Sequence, residues 1–325
     1  MTAMWAIIVD TWRQSRQQVV FIIMVGLLWL IALAAVVVAQ PVEVRDEDGH
    51  VSEHVGLIGT EDSHLFLEEA WIGLYSSTLM FQYEGDERPD PFGEEGQKLQ
   101  SDLLEAANEA ARIDPKRRGV EVLLFGVATM VFSLSMMLFI AAASGYFPAM
   151  LESGAIDIVL AKPLERWKIY LGKYLGGLAL YAVAVASTYL LLFVGIGVRT
   201  GVWHGALALV LPMQLFAAAT LFALLGLLGV VSRSTSLGMT LGYVYYLVVD
   251  SIVSVLTMFP FQVAWMQNLQ KFLRAFVPNF DQIKSAAIYS VINVPAIDWQ
   301  PIAVAASWLL ISLGLGYAKF HRTDY

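Results

Sequence analysis

The stretch VVFIIMVGLLWLIALAAVVVA, residues 19–39, contains 21 residues and no charged side chain. A helix needs about 20 apolar residues to cross the hydrocarbon core of a bilayer, which is about 30 Å thick, at a rise of about 1.5 Å per residue. This stretch is therefore predicted to span a membrane.

Five further runs have the length and apolar character of spanning helices. They cover Val120–Ala143, Tyr174–Val198, Gly205–Val231, Leu237–Phe261 and Ile302–Ala318. Of the 325 residues 58% are hydrophobic and 15% charged, whereas soluble domains have about 45–50% and about 25%. The sequence predicts an all-α integral membrane protein with six transmembrane helices.

Acidic residues concentrate between the first two runs. Pro41 to Arg118 holds 19 acidic and 7 basic residues, although the whole chain has a net charge of only -8. We therefore expect a small, acidic extracytoplasmic domain over residues 40–118 and a mildly basic membrane body over residues 119–325.

Three segments of the acidic domain have recognisable patterns. VEVRDEDGHVSEHVG alternates around an Asp-Gly pair and predicts a hairpin, and Leu99 to Ile113 predicts a helix that ends before Asp-Pro. HLFLEEAWIGLYSSTLMFQY is nearly apolar enough to span, but adjacent Glu68 and Glu69 favour a packed or interfacial helix.

Basic residues near the ends of the spans predict the orientation, because cytoplasmic loops carry the excess of lysine and arginine. With the N-terminus inside, the outer short loops hold only Arg199, Lys271, Arg274 and Lys284. The inner side then collects Arg13, Arg16, Lys162, Arg166, Lys168, Lys173, Arg233, Lys319 and Arg322. Both termini are predicted to be cytoplasmic, and residues 1–18, with Trp5 and Trp12 on one face, predict an amphipathic helix on the inner membrane surface.

The sequence gives little sign of an enzyme. It has no cysteine to act as a nucleophile or metal ligand, and no G-x-x-x-x-G-K-[ST] loop to bind ATP. His50 and His54 in HVSEH match a metalloprotease pattern, but that pattern needs a helix and this run alternates like a strand. The remaining interpretations are weak surface metal binding by His50, His54 and His64 with nearby carboxylates, and a solvated acidic face.

Asp250 lies inside the fifth predicted span, where a carboxylate in hydrocarbon costs several kcal/mol. One interpretation is a position on a translocation or gating pathway, together with Tyr243 and Tyr246. The alternative is a carboxylate that is protonated or paired within the helix bundle, or one that reaches the outer interface.

The second and third spans are joined by a charged loop, residues 144–173, that contains a proline. Apolar residues before Pro163 predict one or two turns of amphipathic helix on the cytoplasmic side, and the proline ends this helix and opens the next. A simple surface loop between two spans is the alternative.

This loop carries a family resemblance. ESGAIDIVLAKPLERWKIYLGK resembles the signature loop of ABC-2 type ABC transporter permeases, most closely the NosY-like branch, and VPNFDQI and the ending KFHRTDY resemble two further segments. The matching positions are Glu152, Gly154, Asp157, Leu160, Pro163, Arg166, Gly172 and Lys173. The acidic domain lies outside the resemblance.

The resemblance implies that the short helix in the loop 144–173 is a coupling helix. Its residues from Glu152 to Leu160, including Ile156, would dock on a separate ATPase subunit, and Pro163 and Arg166 would hold the elbow behind it. Two permease copies and two ATPase copies would form an exporter in the bacterial inner membrane, with ATP and magnesium on the partner and no cofactor on this chain. No nucleic acid is expected as a partner. The alternative function is mechanotransmission or anchoring, in which the acidic domain acts on a periplasmic protein without transport. The substrate cannot be read from the sequence.

Overall fold

A computed structural model shows that the protein is mainly helical. The model describes residues 19–45, 51–60, 62–81, 93–111, 114–151, 165–258, 261, 263–292 and 298–322. The helices are α1 (Val19–Val38), α2 (Ser63–Phe81), α3 (Glu94–Ala111), α4 (Pro115–Ala143), α5 (Tyr146–Met150), α6 (Arg166–Thr200), α7 (Leu207–Ser232), α8 (Thr235–Tyr243), α9 (Asp250–Met258), α10 (Ala264–Phe276), α11 (Phe280–Tyr289) and α12 (Trp299–Arg322). The predicted N-terminal helix, residues 1–18, lies outside the described residues.

Six helical segments are long and apolar enough to cross a membrane, which confirms the six predicted spans. They are α1, α4 with α5, α6, α7, the segment Thr235–Thr257, and α12. In hydrocarbon a helix satisfies its own backbone hydrogen bonds, so a long apolar run is stable there only in this form.

Two of the spans begin at least five residues earlier than the apolar pattern predicts. Asp114 caps α4 by accepting a hydrogen bond from the Arg117 backbone N–H at 3.0 Å, and Pro115 occupies the first position of the helix. α6 begins at Arg166, eight residues before Tyr174. Polar first turns carry both helices beyond their apolar cores.

A hairpin follows α1 without a break. Strands β1 (Ala39–Arg45) and β2 (Val51–Leu57) pair antiparallel, with Ala39 opposite Leu57. α2 packs against β2, α3 and α4, and its Trp71 is fully buried. The acidic insert therefore rests on the start of α4.

The spans pack closely where small residues face large ones. α12 lies along α7, and α1 contacts both α6 and α4. A Cβ placed on Gly177 of α6 would lie 2.7 Å from the Phe222 ring of α7, so glycine is needed for this approach. Apolar residues of α4, α6 and α7 form the centre of the core.

A polar cluster lies inside this core. Gln214 Nε2 donates to Ser135 Oγ at 2.6 Å and to Tyr181 OH at 3.0 Å, and Tyr189 OH donates to Gln214 Oε1 at 2.5 Å. Ser135 and Gln214 are fully buried. The cluster joins α4, α6 and α7 through buried side chains that pair with one another.

We expect Gln214→Leu to lower the free energy of unfolding by about 1–3 kcal/mol, because it leaves buried hydroxyl groups without their partner. Urea or SDS unfolding in detergent measures this change. Combining it with Tyr189→Phe should give a loss smaller than the sum of the two single losses, since both remove the same hydrogen bond.

Ser307→Ala is the matched control. Its exposed hydroxyl bonds only to Ala303 O within α12. A Gln214→Leu effect as small as that of the control would contradict the stabilising role of the cluster.

Candidate functional site

The predicted coupling loop divides into a part outside the described residues and two described flanks. Residues 152–164 lie outside, and with them Glu152, Gly154, Ile156, Asp157, Leu160 and Pro163. On one flank α5 ends at Met150 and Leu151, which are buried. On the other flank α6 begins at Arg166. The flanks show where the loop joins the membrane helices.

Arg166 and Lys173 hold the second flank in place. Arg166 Nη1 donates to the backbone oxygen of His321 at 2.7 Å, which ties the start of α6 to the end of α12. Lys173 is 8% exposed, and its Nζ lies 5.9 Å from the centre of the Tyr146 ring in α5. Both predicted residues therefore connect the loop's exit to other helices.

Five aromatic side chains join the two flanks to the bundle, and we call them the aromatic junction: Tyr146, Phe147, Tyr170, Phe222 and Phe320. Phe147 lies 5.0 Å from Tyr170 and 5.8 Å from Phe222, between ring centres. Tyr170 lies 6.0 Å from Phe320. These spacings are those of interacting aromatic pairs. The junction connects α5, α6, α7 and α12.

Two glycines of α7 allow the side chains of α5 to approach its backbone closely. A Cβ on Gly226 of α7 would lie 2.8 Å from the Phe147 ring, and one on Gly229 would lie 3.0 Å from Pro148. α5 therefore lies directly on the backbone of α7. Any displacement of α5 must move α7 or open a gap between them.

Asp250 is bound within the protein. It is 3% exposed, and its Oδ1 and Oδ2 accept the backbone N–H groups of Phe280 and Asp281 at 2.7 and 3.0 Å. These N–H groups belong to the first turn of α11, where a helix has unpaired donors and a positive partial charge. Asp250 thus fastens the fifth span to α11.

The tyrosines near Asp250 point to different neighbours. Residues Val244–Val249 form a π-helical turn, a geometry that is frequent at functional sites. Tyr243 OH donates to Met137 O in α4 at 3.0 Å, whereas Tyr246 packs against Phe280 of α11 at 6.4 Å. The structure therefore brings Tyr246, but not Tyr243, to the neighbourhood of Asp250's partners.

The start of α11 has its own polar contacts. Asn279 caps it by accepting from Gln282 N at 2.9 Å, and Asp281 accepts from Ser254 Oγ at 2.7 Å and from Lys284 Nζ at 2.5 Å. Burial opposes ionisation of Asp281, but the hydrogen bonds from Lys284 and Ser254 outweigh it and hold the pKa of this carboxyl below its ordinary value.

The histidine pattern lies on a strand, as its alternation predicts. His54 is in β2, its Nδ1 lies 2.7 Å from Glu68 Oε1, and its ring meets that of His64 edge-on at 5.5 Å. His50 lies outside the described residues. Within the part of the chain that the structure describes, no group of three or more potential ligands is placed to hold a metal ion.

A charged cluster at the start of α4 was not anticipated from the sequence. Glu121 is fully buried and accepts from Trp71 Nε1 at 2.8 Å and Arg117 Nε at 3.0 Å. Arg118 Nη1 and His204 Nε2 each lie 3.4 Å from its carboxylate oxygens. We call these five residues the Glu121 cluster. It joins the insert, α4 and the loop before α7.

The sequence matches the family of ABC-2 family transporter proteins over residues 5–325, nearly its whole length. The chain belongs to this family. No curated protein gave a match. As an ABC-2 family member, the chain is a multi-pass membrane permease subunit of an ABC transporter, and the ATPase is a separate partner.

In this ABC-2 permease we expect Asp250→Ala to release α11, because two buried N–H groups lose their acceptor. Hydrogen exchange should quicken by tenfold or more, about 1.4 kcal/mol, at the amides of Phe280 and Asp281. Asp298→Ala is the control, since exposed Asp298 accepts only from Gln300 N at the start of α12. Unchanged exchange at α11 in Asp250→Ala would contradict this role.

Proposed function

We propose that the chain couples ATP hydrolysis by its partner ATPase to export of a substrate, and that residues 152–164 provide the coupling helix. One observation carries the proposal: both flanks of this loop are seated in the aromatic junction, which contacts α7 and α12. A force applied to the loop therefore acts at once on several spans.

The proposed division of labour follows the chain. Glu152, Gly154, Ile156, Asp157 and Leu160 dock the ATPase, and Pro163 forms a stiff elbow behind them. Arg166 and Lys173 then pass the motion to α12 and α5, to which they are bound. ATP and magnesium act on the partner subunit, and no step of this scheme needs a cofactor on the permease.

A second copy of the chain completes the proposed transporter, with two ATPase subunits on the cytoplasmic side of a bacterial inner membrane. α1 and the fifth span support this assembly, because fewer than a quarter of the residues in each are buried within one copy of the chain. Both termini are proposed to be cytoplasmic. The loop motif also supports membership of the NosY-like branch.

The proposed substrate route runs beside the fifth span. Because Asp250 fastens α11 to this span, rigid-body rocking of the span carries α11 with it. The π-helical turn that contains Tyr246 gives the span a point at which it can bend. Tyr243 borders the route on the α4 side.

A second candidate function would make direct use of the Glu121 cluster. It binds the acidic insert to α4, so a movement of α4 is delivered to the insert. In this alternative the insert acts on a periplasmic partner, and no substrate crosses the membrane. Co-purification of such a partner, together with a sealed interface between the two copies, would support mechanotransmission over export.

Charge reversal tests the coupling helix. We expect Glu152→Lys with Asp157→Lys to reduce co-purification of the partner ATPase by tenfold or more, because like charges at an interface repel and cost several kcal/mol. Transport-linked ATP hydrolysis should fall with it. Pull-down from the native membrane measures binding, and phosphate release measures hydrolysis.

Glu94→Lys with Glu95→Lys is the control, an equal charge change on two exposed residues of α3. The control should keep ATPase binding. The coupling assignment fails if both double variants bind and stimulate the ATPase as well as the unaltered protein does. The comparison requires that the two variants have the same unfolding temperature.

A further inference from the structure

A cleft of about 350 Å³ opens beside the Glu121 cluster, at the end of the bundle that carries the insert. Its walls come from the first turn of α4, the loop between α6 and α7, and the start of α7. The side chains and backbone that matter here belong to Arg117, Val202, Trp203, His204, Gly205 and Leu209. The volume is in the range of small-molecule sites, about 300–1,000 Å³.

One wall of the cleft is polar and positively charged. His204 is 7% exposed, and its Nδ1 has no hydrogen-bond partner among the described residues. Arg117 uses Nε to bind Glu121, while its side chain remains 49% exposed. Because Arg117 and Arg118 share the single Glu121 carboxylate, one positive charge of the cluster is not neutralised by it. The wall offers donors to an anion.

The other lining side chains include apolar ones that are partly exposed. Trp203 is 55% exposed and Leu209 38%, beside Val202. Trp203 is held in place, because its indole lies over Gly197 and meets Phe193 edge-on at 5.3 Å. Tryptophan at the end of a spanning helix is typical of the membrane–water interface.

We propose that this cleft binds the phosphate headgroup of an anionic membrane lipid. The phosphate accepts from the exposed Arg117 guanidinium, and the upper acyl chains lie on Trp203 and Leu209. Free phosphate could occupy the same donors but would leave these apolar side chains without a contact. The bound lipid would connect α4 to α7 next to the contact that holds the insert.

Titration of the purified full-length protein tests the proposal. Phosphatidylglycerol is added in detergent, the unfolding temperature is followed, and phosphatidylcholine and inorganic phosphate serve as separate probes. We expect phosphatidylglycerol to raise the unfolding temperature in a saturable way, and the other two to raise it little or not at all. Arg117→Gln should weaken the apparent affinity by about tenfold or more, because a charge-assisted hydrogen bond is lost.

Gly205→Leu provides a second variant that keeps the charged cluster. A Cβ on Gly205 meets no atom within 4 Å, and Gly205 lines the cleft, so we expect a larger side chain there to obstruct it. It should abolish the lipid response while the unfolding temperature without lipid stays near that of the unaltered protein. Lys271→Gln, which removes an exposed cation of α10, should keep the full response.

Three outcomes would overturn the proposal. An equal response to phosphatidylcholine would show that charge is not recognised, and an equal response to inorganic phosphate would remove the lipid as the occupant. A full response in both Arg117→Gln and Gly205→Leu would place the lipid elsewhere on the protein.

Discussion

In the hydrocarbon core of a bilayer no water is present to pair with a buried polar group, so each such group depends on a partner within the protein. This constraint decides the position of α11. Asp250 is buried in the fifth span, and it is paired because the first turn of α11 presents two backbone N–H groups to its carboxylate. The same requirement brings Gln214 to Ser135 and Tyr181, and thereby fixes α4, α6 and α7 relative to one another.

At the end of the bundle that carries the aromatic junction, apolar packing holds the helices together. Helices in lipid gain little from hydrophobic burial against each other, and close van der Waals contact has to hold them instead. Phe147 achieves this by lying on the backbone at Gly226, while Tyr170 reaches Phe320 of α12. A close-packed junction of this kind transmits displacement rather than absorbing it. The charged loop between the second and third spans therefore leads into a close-packed part of the membrane body.

Local pattern in the sequence was enough for the six spans and for the two antiparallel strands on either side of residues 46–50, because apolar length and alternation act over short distances. Contacts between residues far apart in the chain could not be predicted from local sequence pattern. Trp71 and Glu121 are 50 residues apart, and Arg166 binds His321 across 155. Asp250 was conspicuous as a carboxylate in an apolar run, but its partners are backbone N–H groups, which leave no trace in a sequence.

The two ends of the bundle are connected by α4 itself. Its 29 residues form one helix of about 44 Å, which carries Glu121 near its start and leads into α5 and the aromatic junction at its end. A tilt imposed at the junction therefore reaches the Glu121 cluster and, through Trp71, the acidic insert. The insert would move in an exporter as well as in a mechanotransmission complex. Movement of the insert cannot distinguish the two functions; the presence or absence of a continuous route between the two permease copies does.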